Sequence, residues 1–415
     1  MKSTLRIILG IFWAFTFFLR ASGQDKGKFQ PVQPGYYQNV IMRGVEEQQS
    51  VKSEPQFRFK VDLSGKTHLM TNLDAYTKIW HFKPISQGNT GTCWCFATTS
   101  FYESEIKRLS GQEIDLSEAY LVYWEYVERA IYFVEKRGEM FLGEGSETNA
   151  LTRLMRKYGL APASAYSGLI SGKKIHSHSK MFSEIEAFLK HVKASHIWDT
   201  AFVVQTVKQI LNYHMGEPPS RFEWKGKAYS PIQFMKEIAR INPDDYVDLM
   251  SLMNIPYYTR GEYNVPDNWW HDKSYYNIPL DVFMESLKNA VRSGYSISLG
   301  GDVSEAGLET ESQVAIVPTF DIPSAYIDEN ARFFRFSNGS TTDDHAMHVV
   351  GYASGPDGAF WFLLKDSGSG SRNCGEHCPQ FGYYFMQEDY VKLKMMTATV
   401  HKDAVKDVLK KFNKL

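Results

Sequence analysis

Gln87-Gly88-Asn89-Thr90-Gly91-Thr92-Cys93-Trp94-Cys95-Phe96-Ala97 is the stretch whose reading decides the rest of the 415-residue chain. A glutamine stands six residues ahead of a cysteine, two glycines lie between them, and a helical pattern begins at the cysteine. The glycines permit a tight turn, so the Gln87 carboxamide can swing back beside the Cys93 sulfur and serve an oxyanion hole. A helix starting at Cys93 puts the sulfur at the positive end of the macrodipole, which favours the nucleophilic thiolate. Cys95 points roughly 200° away around the same helix and is expected in packing.

Residues 1–23 read as a secretory signal peptide: Lys2 and Arg6 start it, an apolar run follows, and Ala21-Ser22-Gly23 makes a small-residue cleavage site. The run is short for a membrane span. The mature protein is therefore expected to be exported, periplasmic or secreted, with no membrane contact after cleavage. The remaining 392 residues (415 minus 23) suffice for a large core and more than one lobe. With 46 basic and 47 acidic residues, no global field draws the chain to nucleic acid. Four cysteines are too few for a disulfide-held scaffold.

Residues 24–56 are polar with scattered Pro and Gly and are expected to be a poorly ordered lead-in. Residues 57–63 alternate as a strand. The helix from Cys93 should run to about Leu109, with Thr92 as cap and Glu103 paired to Lys107. Asp115 and Ser117 open a second helix, and residues 143–146 turn into a third spanning 147–158. Ser183 with Glu186 reads as a capping box for a helix through His191, and another helix follows over 201–215. Residues 295–302 and 331–336 read as strands, and so do 359–366 and 382–386. His345 and His348 have opposite parity on a strand, so they cannot easily clamp one metal, and only one can meet Cys93. Cys374 and Cys378 suit a local disulfide in an exported protein.

The 87–96 pattern resembles the Q-G-x-x-G-x-C-W-x-F signature of papain-like cysteine peptidases. Leu116 to Arg129 (L-S-x-x-Y-L-x-x-W-x-x-V-E-R), with M-G-E-P-P-S-R-F-E-W and S-P-I-Q-F-M-K-E further on, is similar to the bleomycin hydrolase and aminopeptidase C branch. The resemblance implies an α+β, two-lobed papain-like domain over 57–405, a helical insertion at about 181–289, and a short tail over 406–415. It implies peptide substrates, no cofactor, and a homo-oligomer, a hexamer in that branch. It places Cys93 as nucleophile and Gln87 in the oxyanion hole. His345, in D-H-A-x-x-x-V-G-Y, becomes general base and acid, leaving His348 to packing. Gly145, Ser146 and Trp94 fall at substrate-binding positions.

Where the family carries N-S-W, this chain has Asp366-Ser367-Gly368. An aspartate can still orient the histidine, but without the tryptophan the hydrogen bond is expected to be wetter. Two other readings are a transglutaminase-like acyltransferase and a non-catalytic peptide-binding protein on a peptidase fold. The family's longer C-terminal arm enters the cleft; here the last ten residues span about 35 Å at most when extended. They are expected not to close the cleft fully, leaving exopeptidase and broader oligopeptidase action both open.

Overall fold

The computed structural model describes residues 24–45, 57–170 and 172–412. The signal-peptide reading of 1–23 lies outside the described residues. Strand β1 (Gly27–Pro31) pairs antiparallel with β2 (Phe57–Val61). The helices that follow are α1 (Cys93–Ser110), α2 (Glu118–Glu135), α3 (Ala150–Tyr158), α4 (Ser179–Ala194) and α5 (Thr200–Met215). Next come β3 (Tyr246–Met250), β4 (Tyr275–Asn277), α6 (Leu280–Arg292), β5 (Ile297–Gly301) and α7 (Glu329–Ser337). The chain closes through β6 (His345–Ser354), β7 (Phe360–Lys365), β8 (Tyr383–Gln387), β9 (Met395–His401) and α8 (Lys406–Phe412).

The central part of the main sheet runs β8-β7-β6-β5-β9-β3-β4, antiparallel except where β3 meets β4. Two cores result. One joins α1 to α5 through Phe101, Tyr123, Leu151, Leu189 and Val207. The other packs α6 on the sheet through Phe283, Leu287, Leu299 and Phe362. Helix α1 lies between them with every residue from Trp94 to Ile106 buried. Gly111 ends it in the left-handed region, its N–H bonding Lys107 O.

Several expectations change. Within residues 24–45, the described part of the lead-in, β1 pairs with β2, Phe29 meets Phe59 at 5.3 Å, and the Tyr37 hydroxyl donates to Asn89 Oδ1 at 2.7 Å. Glu103 does not pair with Lys107. It is buried and accepts from Leu116 N–H, while Lys107 meets Glu113. Helix α4 starts a turn before the expected Ser183 box, because burying Met181 on the stripe of Ile185, Leu189 and Val192 draws its start back to Ser179. Helix α3 begins at Ala150 rather than 147.

The largest error is 331–336, which is helix α7 and not a strand. The Asp328 side chain accepts from Ala331 N–H at its start, and Arg332, Phe333 and Phe336 form its inward face at helical spacing. Arg332 is buried and donates to the carbonyls of Ser251, Lys392 and Met396. Burial lowers its pKa to about 10. Replacing Arg332 with Met strands those acceptors, so Arg332→Met should cost about 3 kcal/mol. Chemical denaturation should find the loss, with activity per folded molecule largely kept.

Candidate active site

Helix α1 delivers two thiols with different surroundings. Cys93, its first residue, is half-buried. Cys95 is fully buried against Glu118 O and Thr99 Oγ1, and burial, with the Glu118 charge, pushes its pKa well up. Only Cys93 is within reach of a substrate.

The loop ahead of α1 is set by close backbone approaches. Gly88 has φ +70°, and a Cβ there would fall 2.3 Å from His176 O, so no other residue fits. Gln87 N–H donates to Ser367 O at 3.0 Å, and its Oε1 accepts from Ser367 Oγ at 2.7 Å. One carboxamide N–H goes to Thr90 O at 2.7 Å, which leaves the amide one further N–H to donate. A cavity of about 340 Å³ opens here, lined by Gln87, Gly91, Glu144, Ser179, Gly368 and Tyr37 among others.

His345 and Asp366 stand opposite. His345 Nε2 lies 2.6 Å from Asp366 Oδ1. Burial disfavours the imidazolium, but the charges of Asp366 and Cys93 and hydrogen bonds to both hold His345 well above its usual range. Asp366, though buried, is held at about 2 because the His345 and Arg372 charges outweigh desolvation. His348 is buried, its Nδ1 2.9 Å from Ser100 Oγ, and burial with the nearby Lys365 charge keeps it neutral. Both histidines therefore contact α1 and strict alternation does not separate them, since His345 is the strand's first residue.

The hydrogen bond that the missing tryptophan was expected to leave wet is well covered. The Asp366 side chain is 1% exposed and that of His345 13%. Gly368 passes over both: a Cβ on it would lie 3.2 Å from Asp366 Oδ2 and 3.4 Å from His345 Cε1. Arg372, which the sequence reading passed over, is buried beneath and donates to Ile85 O and Asp366 O, and to Gly368 O. Nothing in its spacing marks it, because its partners are carbonyls brought in by folding.

The 143–146 turn is pinned to the start of α1. Gly91 N–H donates to Glu144 Oε2 at 2.8 Å, and Trp94 Nε1–H to Glu144 O at 3.2 Å. Trp94 is 1% exposed, so it holds this turn rather than lining the cleft. Ser146, also buried, donates to Glu125 Oε1. Gly145 is half-buried, and its open side is approached by Asp267 from the insertion.

A family model described as Peptidase C1-like family matches residues 42–140 and 142–414. The chain belongs to that family. It is a cysteine-type peptidase, which sets aside the acyltransferase and non-catalytic readings. Aminopeptidase C of Streptococcus thermophilus is 21% identical over 435 residues, covering 94% of this chain and 92% of the relative. Bleomycin hydrolase of Gallus gallus is 23% identical over 272 residues, 54% of this chain and 59% of the relative. The solved structure of PepW from Lactobacillus rhamnosis superposes with a TM-score of 0.61 at 17% identity, covering 84% of this chain and 88% of that one. The fold is the papain-like α+β fold. Cys374 and Cys378 are bridged.

A carboxylate whose folded value lies below its ordinary 3.8 contributes stability above about pH 4 and loses it as the pH falls toward 2. Wild type should therefore exceed Asp366→Asn by about 2 kcal/mol at pH 5, and the gap should close between pH 4 and 2 in denaturation series.

Proposed function

We propose that Cys93 is the nucleophile of an exported peptidase acting on peptides, with His345 as general base and acid, Asp366 orienting His345, and Gln87 completing the oxyanion hole. The observation that carries this is the His345–Asp366 contact at 2.6 Å, with His345 raised by the charges of Asp366 and Cys93. A histidine held as imidazolium beside Cys93 favours the thiolate. The thiolate attacks the scissile carbonyl, and the tetrahedral oxyanion accepts from the Cys93 backbone N–H and the uncommitted Gln87 amide N–H. His345 then protonates the leaving amine, the acyl-enzyme remains, and His345 activates water to release it. The names of the relatives support an aminopeptidase mode. Helix α8 favours a less restricted one, since it is held by Phe412 against Tyr258 and Tyr276 on the sheet's edge. Export is supported by the 1–23 segment and by the Cys374–Cys378 bridge. No helix among the described residues is long and apolar enough to cross a membrane.

Cys93→Ala should abolish peptide turnover, whereas Cys95→Ala keeps a substantial fraction. Equal loss in both, with the Cys95 variant folded, would move the nucleophile. Asp366→Asn removes the charge that favours the imidazolium, so the alkaline limb of its pH–rate profile should shift to lower pH. An unmoved limb would remove Asp366 from the orienting role.

A further inference from the structure

Residues 35–38 of the lead-in stand at the rim of the site and take no part in the chemistry above. The half-buried Tyr37 donates through its hydroxyl to Asn89 Oδ1, and Asn89 is itself fixed. Its N–H donates to His176 O, its carbonyl accepts from His178 N–H, and its Nδ2 donates to Ser177 Oγ and Ser179 Oγ. One residue back, Tyr36 N–H donates to Asn373 Oδ1 at 3.1 Å, and the Tyr36 ring meets Phe381 at 5.5 Å. Gly35 admits that asparagine, since a Cβ there would lie 2.4 Å from Asn373 Oδ1. Asn373 follows Arg372, so this segment joins the loop after Asp366 to the loop before Cys93. Tyr37 is held from both sides.

Gly368 relates that ring to the reacting groups. A Cβ on Gly368 would lie 3.4 Å from His345 Cε1, and Gly368, Gln87 and Tyr37 line the same cavity of about 340 Å³. A His345 that protonates the leaving amine has the first residue of the departing chain beside it, and the space from Gly368 to Tyr37 then receives that residue's side chain. Glycines 88, 91 and 368 present only backbone there, and Tyr37 carries the one aromatic ring among the described lining residues. Glu144 is their one charged group. It already accepts from Gly91 N–H, and burial raises its pKa. A second cavity of about 530 Å³ shares Tyr37 and Ser369 with the first, which gives a longer departing chain room beyond the ring.

We propose that Tyr37 is a specificity-determining residue for the departing half of the substrate, favouring a large apolar or aromatic side chain directly after the scissile bond. A ring already fixed by its hydroxyl removes apolar surface from water with little further ordering, and glycine gains nothing from it. This rests on the peptidase reading above, and it requires that residue 37 remain in the working enzyme.

Two measurements test it. On Cys93→Ala protein, calorimetry compares peptides of one sequence that carry leucine, phenylalanine, glycine or lysine directly after the scissile bond. Leucine and phenylalanine should bind about tenfold tighter than glycine. That advantage should vanish when Tyr37→Ala is added and persist with Tyr37→Phe, which keeps the ring. On active protein, the leucine-to-glycine ratio of kcat/KM should fall about tenfold in Tyr37→Ala, whereas a merely loosened lead-in would lower both values and leave their ratio. Equal binding of leucine and glycine, a preference for lysine drawn by Glu144, a ratio that survives Tyr37→Ala or is lost in Tyr37→Phe, or a purified active enzyme trimmed beyond residue 37 would overturn the assignment. If the preference and its loss appear in binding while wild type cleaves none of the peptides, the peptidase reading fails and the Tyr37 contact stands.

Discussion

The hydrogen bond between His345 and Asp366 holds two charges out of water, and the loop around it is arranged to make that tolerable. A buried pair costs more in desolvation than its attraction returns unless further groups satisfy it. Arg372 supplies the second positive charge, and it can do so only because residues 366–372 fold back until its guanidinium meets Asp366 O, Gly368 O and Ile85 O. The same fold-back presents Ser367, whose carbonyl and hydroxyl grip Gln87. Residues from three distant segments are thus one mechanical unit. The angle of Gln87 toward Cys93 depends on where Asp366 sits.

What could be read from the sequence is what depends on near neighbours. The turn glycines, the helix beginning at Cys93 and the strand bearing His345 are local patterns, and Cys93, Gln87, His345 and Asp366 are brought to one place. What escaped depends on distant partners. Arg372 has carbonyls for partners, and Asp267 reaches Gly145 across more than a hundred residues. Residues 331–336 read as a strand because Phe334 and Phe336 share one strand face, whereas Phe333 and Phe336 share a helix face, and the Asp328 cap that decides for a helix lies outside that window. Composition hides the strand at residues 27–31 of the lead-in, because a strand needs only a partner edge, which β2 provides.

The insertion contributes to the site wall as well as adding surface. Glu125 of α2 accepts from Ser146, from Trp269 Nε1 and from Arg153, and the Arg153 guanidinium lies 4.9 Å and 4.6 Å from the rings of Trp269 and Trp270. The aromatic pair of the insertion is therefore packed inward and clamps the 143–146 turn through one carboxylate. A change in the insertion would be felt at Gly145 without touching Cys93.

The two buried acidic sets differ in one respect that separates their roles. Asp366 is fully compensated by His345 and Arg372, its proton is held off to about pH 2, and the result is rigidity. Glu147 is pushed up by burial and by the Asp343 and Asp267 charges, while hydrogen bonds to Glu147 and Tyr263 partly offset the burial of Asp343. An interior built for stability alone would replace such a set with apolar side chains at little cost or some gain. The surroundings hold this second set in place: Arg129 and Glu125 fix the turn, and Gly145 admits Asp267. The first set fixes the reacting groups, and the second is tied together by the side-chain hydrogen bonds that Asp343 shares with Glu147 and Tyr263.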